Sequence, residues 1–315
     1  MVHVERTGSG AAAETMTETA FRSLLDGLRA QQPWGPGDRR GALNHITPAE
    51  VLAALEEPRR GHTLSLAATI EDWPAADNPD PAQHRISPGG AARGLSFNMD
   101  RFAMNIHGNV DSHIDALCHV AFDGVLYNGV PATTAGEHGA AELSIEVAGN
   151  GIVGRGVLLD VPRSRGVPWL EPGDHVTVDD LLAAERQQQV RVGRGDVVCV
   201  RVGHRRRRRE KGPWDAARAR AGLHPSLLPL LGERQIAVLG SDGNNDTAPS
   251  AVTGVDFPVH VLAVNALGVH LLDYLQLEEL ATACAEARRW SFLCLIAPLR
   301  LATGTGSPVN PLAVV

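Results

Sequence analysis

Little in this chain could build a disulfide scaffold, a membrane span or a polycation. Its four cysteines, Cys118, Cys199, Cys284 and Cys294, form no C-x-x-C pair, which excludes a dense disulfide framework and a thiolate metal knuckle and fits a reducing compartment. No run of about 18 apolar residues occurs, and the N-terminus carries no signal-type apolar core, so a cytoplasmic protein without a membrane partner is expected. Lysine occurs once, at Lys211, and the net charge is −7. That balance argues against nucleic acid as a partner. One local exception is Arg205 to Arg209, five consecutive arginines, expected as a solvated loop or subunit contact ahead of an anion-binding patch. What remains is an ordinary globular composition, 43% hydrophobic over 315 residues, enough to bury a sizeable core.

Residues 1–14 are small, polar and aperiodic and are expected to form a disordered tail. Thr15-Met-Thr-Glu18 has the form of a capping box before the apolar-periodic Phe21, Leu24, Leu25 and Leu28, and Thr47-Pro48 with Glu50 starts a second, short helix through Leu55. The Pro-, Asp-, Asn- and Gly-rich stretch from Trp73 to Gly94 reads as a long loop. Strands are expected at 63–70, 156–161, 196–202, 235–239 and 291–301, with helices from Thr177 to about Gln189 and from Leu277 to Arg289. Strands and helices mix along the whole length, so 15–315 is read as one mixed α/β domain.

The chemistry concentrates in Asn109-Val-Asp-Ser-His113-Ile-Asp115-Ala-Leu-Cys-His119. His113 and Asp115 share a face only if the backbone is extended there. Asp115 and His119 share one only if it is helical. A strand or loop turning into a helix at Asp115 would converge all three groups, as a metal-activated water requires; the alternative is an ordinary i,i+4 pair worth a few tenths of a kcal/mol. Other motifs fail on context. Gly149-Asn-Gly151-Ile-Val-Gly154 matches a dinucleotide fingerprint, but a strand follows it where a helix is needed, so it reads as a tight turn. Asp242-Gly-Asn-Asn-Asp246 lacks the glycine and glutamate of a calcium loop at Thr247 and Thr253. No G-x-S-x-G elbow is present, and Cys118 beside His119 does not by itself make a nucleophile and base pair.

With Phe122-Asp-Gly124-Val-Leu-Tyr127-Asn128-Gly129, the segment from His113 resembles the signature H-x-G-T-H-x-D-x-x-x-H of the cyclase family that includes bacterial kynurenine formamidase and isatin hydrolase. The likeness continues through Gly156 to Pro162, Gly240-Ser-Asp242-Gly, and Pro258-Val-His260 to Leu271-Leu-Asp273. The resemblance implies the family's swivelling β/α fold and a homo-oligomer, dimer or tetramer, with loops shared across the interface. It also implies that His113, Asp115 and His260 are metal ligands, that Asp273 stands where the family has a Glu ligand, and that His119 shuttles protons. The departure is Asn109, in place of the signature's first His, with Asp111-Ser112 in place of Gly-Thr. Asn is a weak oxygen ligand, so one ion is expected rather than two. His107 could compensate only if the backbone bulges, and Asp111 is another oxygen donor on the strand face of Asn109 and His113.

Without the resemblance, His260 reads as a core histidine. Asp273, in an apolar stretch, must be paired, hydrogen-bonded or metal-bound. Asp242 reads as a turn residue or as the partner that orients a ligand imidazole. The function expected is metal-dependent hydrolysis of an amide, formamide or lactam C–N bond in a small aromatic molecule, with zinc or manganese. Its alternatives are a ring-closing or ring-opening tailoring enzyme and a non-catalytic binding member. Trp73, Trp169 and Trp214 could line an aromatic wall, although packing is the commoner use of each.

Overall fold

A computed structural model describes residues 15–90 and 93–315; the expected tail over 1–14 lies outside them. Nine strands form one sheet in the spatial order Thr63–Ser65, Leu312–Val314, Ser291–Ile296, Ile152–Asp160, Val197–Arg201, Val238–Ser241, His270–Asp273, His113–Asp115 and Gly306–Pro308. The four central strands, from Ile152–Asp160 to His270–Asp273, run parallel. They are mostly buried and largely apolar, as expected of parallel strands covered on both faces, with polar residues concentrated near their ends. Antiparallel pairings flank them on both sides. Ligand sites in such sheets lie beyond the carboxyl ends of the parallel strands, and Asp273 closes the last of them.

Several helices start as their capping chemistry dictates. The capping boxes at Thr47 and Thr177 begin Pro48–Ala54 and Val178–Gln188. The first helix, Glu18–Ala30, is capped by Thr17 and not by Thr15, because Met16 is bridged to Val252 and holds the chain extended through Thr17. Phe21, Leu25 and Leu28 bury its apolar face. Val120, Tyr127 and the apolar residues of the segment Val261–Ala266 belong to the same core cluster. No helix among the described residues is long and apolar enough to cross a membrane.

Two further expectations change. The loop expected over 73–94 gives way at Gln83 to a hairpin, Gln83–Pro88 with Asn98–Ala103. Every residue of both strands is exposed, so neither carries the apolar face that would have marked it. The five arginines lie on a helix, His204–Lys211. Arg205 is buried and donates to the carbonyls of Val110, Tyr274 and Leu275, while Arg208 clamps Glu71 and Asp77. The glycine run at 149–154 is the expected turn, with Gly151 at φ 80° and the strand beginning at Ile152.

Candidate metal centre

Strand register brings the two halves of the site together. Asp273 pairs directly with His113 across antiparallel neighbours. His113 and Asp115 alternate onto one face, and Ile114 between them faces the core with no exposure. Beyond Asp115 the chain does not become helical: His119 N donates to Ala116 O at 2.9 Å in a tight turn. That turn still returns His119 to the same cleft, which has a volume of about 390 Å³ and is also lined by His107, Asn109, His113, Asp115, His260 and Asp273.

The donors fall into two groups that share Asp115. In one, ligand atoms of Asp115, His260 and Asp273 lie within 4.8 Å of each other; in the other, those of His107, His113 and Asp115 do. His260 Nε2 is 3.5 Å from Asp115 Oδ2 and 3.5 Å from Asp273 Oδ2. His113 Nε2 is 3.8 Å from Asp115 Oδ1. His107 therefore enters from two residues before Asn109, its Nδ1 3.0 Å from Asp115 Oδ1 and its Nε2 3.1 Å from Thr305 Oγ1. It also stacks on His119, with ring centroids 3.8 Å apart and 11° between planes. Gly306 leaves room for it, since a Cβ there would lie 2.6 Å from His107 Cε1.

Each ring is turned by what holds its other nitrogen. His260 Nδ1 donates to Asp246 Oδ2 at 2.6 Å, and His113 Nδ1 to the carbonyl of Asp111 at 2.8 Å. Both Nε2 lone pairs are thereby aimed at the carboxylates, the usual arrangement behind metal-binding imidazoles. Asp246 also accepts from the backbone N–H groups of Val259 and His260. Asp273 Oδ1 accepts from Asn245 N and Nδ2, and its Oδ2 from Asn244 Nδ2. The loop rejected as a calcium site thus orients both ligands contributed by the C-terminal half. Asp242, read as a turn residue or an orienting partner, orients neither imidazole and accepts from Val202 N and Gly203 N, with burial pushing it up to about 6.

Electrostatics test whether these residues suit a cation. Asp115 is 1% exposed, and its Oδ2 has no hydrogen-bond partner among the described residues. An unpaired buried acceptor costs about 1–3 kcal/mol, and more when charged. Burial opposes its ionisation, yet His119, His107, His260 and His113 hold it well below the usual carboxylate range. Burial likewise opposes charge on His260, while Asp273, Asp115 and Asp246 lift it well above an ordinary imidazole. Three carboxylates around one imidazole make a buried excess of negative charge. A divalent cation fits that excess, with nitrogen and oxygen donors already facing inward.

His119 is pushed down to about 4, first by burial, and its side chain makes no hydrogen bond among the described residues. Asn109 lines the same cleft, and its Oδ1 accepts from the Tyr274 hydroxyl at 3.1 Å. The Asp111 carboxylate turns away to accept from Glu71 N. The aromatic lining comes from Phe122 and Phe257, and none of Trp73, Trp169 and Trp214 borders the cleft. Trp169 and Trp214 pack instead against the arginine helix.

The cyclase family model matches residues 43–245, and no curated protein matches the sequence significantly. The crystal structure of a novel cyclase is similar over 91% of this chain and 99% of its own, at 30% identity and a TM-score of 0.82. Isatin hydrolase A from Ralstonia solanacearum matches 85% of this chain and 97% of its own at 22% identity and a TM-score of 0.57. The isatin hydrolase A of Labrenzia aggregata matches 81% and 93%, at 19% identity and a TM-score of 0.55. At those two identities the likeness is one of fold. The family model spans well over half of the chain and the novel cyclase nearly all of it, and the chain belongs to the cyclase family.

Proposed function

We propose that this protein is a metal-dependent hydrolase that cleaves an amide, formamide or lactam C–N bond in a small aromatic molecule. The observation that carries the reading is Asp115, a buried carboxylate with one oxygen accepting no hydrogen bond among the described residues, where two His/Asp groups meet in a cleft. His113, Asp115, His260 and Asp273 would hold the ion, with His107 as a further donor on the His113 side. Nitrogen and oxygen donors without thiolate suit zinc or manganese. When bound, such an ion supplies Lewis acidity toward a carbonyl and brings the ionisation of water close to neutral pH.

His119 would supply the proton transfer. Burial keeps its ring neutral at pH 7, the form that can take a proton from water and return it to the leaving nitrogen. Phe122 and Phe257 give the cleft apolar lining for an aromatic substrate. A non-catalytic binding member, the alternative raised by Asn109, is less favoured because His107 restores an imidazole to the site. The fold shared with isatin hydrolases recommends isatin as one probe. Metal-stripped protein, and the same protein reloaded with zinc or manganese, should be assayed against isatin, N-formylkynurenine, related aryl formamides and lactams. Turnover should appear only on reloading. A protein that takes up neither metal and hydrolyses none of these would refute the reading.

A further inference from the structure

We infer that Asn109 is a hydrogen-bond donor to the substrate's carbonyl oxygen and not a ligand of the ion. The inference rests on the hydrolase reading and assigns a role within the same cleft. Asn109 borders that cleft and is partly buried. Its Oδ1 already accepts from the Tyr274 hydroxyl. Its amide nitrogen has no partner among the described residues. An amide whose oxygen is engaged presents N–H groups, which repel a cation and attract an oxygen that gains negative charge.

The phenol that sets this orientation is itself firmly held. Tyr274 is fully buried at φ 54°, a left-handed conformation that costs a bulky residue about 1–3 kcal/mol and persists only where its surroundings enforce it. Here its N–H donates to Gly243 O, and its carbonyl accepts from Ser112 Oγ and the Arg205 guanidinium. Its ring lies between His113, at 6.3 Å, and His204, at 5.4 Å. Tyr274 directly follows Asp273, so one strand end fixes both a candidate ligand and the residue that turns Asn109. His107 supplies the imidazole next to Asp115, which leaves Asn109 free for this task. In hydrolysis, water oxygen bonds to the carbonyl carbon, the C–N bond breaks, and the nitrogen departs with a proton. The carbonyl oxygen carries the transient negative charge, and a preset donor stabilises it there.

The test compares wild type, Asn109→Ala and Tyr274→Phe by zinc content, by affinity of the zinc-loaded protein for benzohydroxamate, and by turnover on the formamide and lactam panel. Asn109→Ala should keep wild-type zinc content, bind benzohydroxamate about tenfold more weakly and lose kcat by about 10²–10³ with little change in KM. Tyr274→Phe, which removes one oxygen and leaves the amide in place, should fall between. It carries the same measurements if Asn109→Ala does not fold. Loss of zinc from Asn109→Ala, or unchanged benzohydroxamate affinity, would overturn the assignment. If the wild type hydrolyses nothing, the hydrolase reading fails separately, and the zinc and benzohydroxamate measurements still decide the role of Asn109.

Discussion

Asp246 touches no candidate substrate position, yet substituting it should weaken metal binding strongly. Its two oxygens accept three hydrogen bonds, from Val259 N at 2.7 Å, His260 N at 2.9 Å and His260 Nδ1 at 2.6 Å. Asn in its place has only one acceptor oxygen. Turned toward His260, that oxygen still takes two of the three donors, while Val259 N meets an NH₂ group and the negative charge behind the imidazole is lost. Ala removes all three contacts and frees the ring to rotate. Partners of this kind are generally worth 10–100-fold in metal affinity, so Asp246→Asn should lose about tenfold and Asp246→Ala about a hundredfold, roughly 1.4 and 2.7 kcal/mol. Competition for zinc against a chromophoric chelator measures both, with circular dichroism to confirm the fold. A natively folded Asp246→Ala protein with wild-type zinc affinity would refute the reasoning.

Other expectations concern the two imidazoles that stack, the carboxylate Asp115 and the buried His270. Gly306→Ala places a Cβ against His107 and the Ile114 carbonyl, so His107 must leave Asp115; the expected outcome is reduced metal stoichiometry with a stability loss of about 1–3 kcal/mol, read by metal analysis and thermal melts, and unchanged stoichiometry would exclude His107 as a donor. His119→Ala should keep metal near wild type and lower turnover by about two to four orders of magnitude; equal activity would remove His119 from the mechanism. Asp115→Ala should lose metal and activity together, and full occupancy would remove it from the ligand set. His270 is fully buried, neither ring nitrogen has a hydrogen-bond partner among the described residues, and burial pushes it down to about 4. The folded state holds it neutral while the unfolded chain protonates near pH 6.5, so its contribution is intact above that pH and is lost as pH falls toward 4, by up to about 3 kcal/mol. Urea melts of metal-free His270→Leu between pH 7 and 4 should show a shallower decline than wild type, and an identical slope would contradict this.

What could be read from the chain depended on how local the determining contacts are. The capping boxes at Thr47 and Thr177 are complete within four residues, and both helices start there. His113, Asp115 and Asp273 are brought to one cleft by strand alternation and a strand end, and His260 reaches it from the short helix Pro258–His260. His107 could not be placed from its neighbours, since the gap it occupies is made by Thr305 and Gly306 at the far end of the chain. Asp246 was hidden by its context: five polar residues after an apolar strand suggest a turn, and only the fold turns them toward His260 and Asp273. The arginine run misled for a related reason. Five adjacent guanidiniums suggest solvent, but helical spacing points Arg205 at backbone carbonyls and Arg208 at two carboxylates.

The pairing of Asp273 with His113 has a thermodynamic consequence. His113 lies more than 140 residues before both His260 and Asp273 in the chain, so an ion held among them would close a very long loop and be bound only once the sheet is assembled. Folding and loading are then one equilibrium: free metal at a hundred times its dissociation constant adds about 2.7 kcal/mol to the native state. A melting temperature that tracks zinc concentration would report strand assembly even for a variant whose catalysis has been erased.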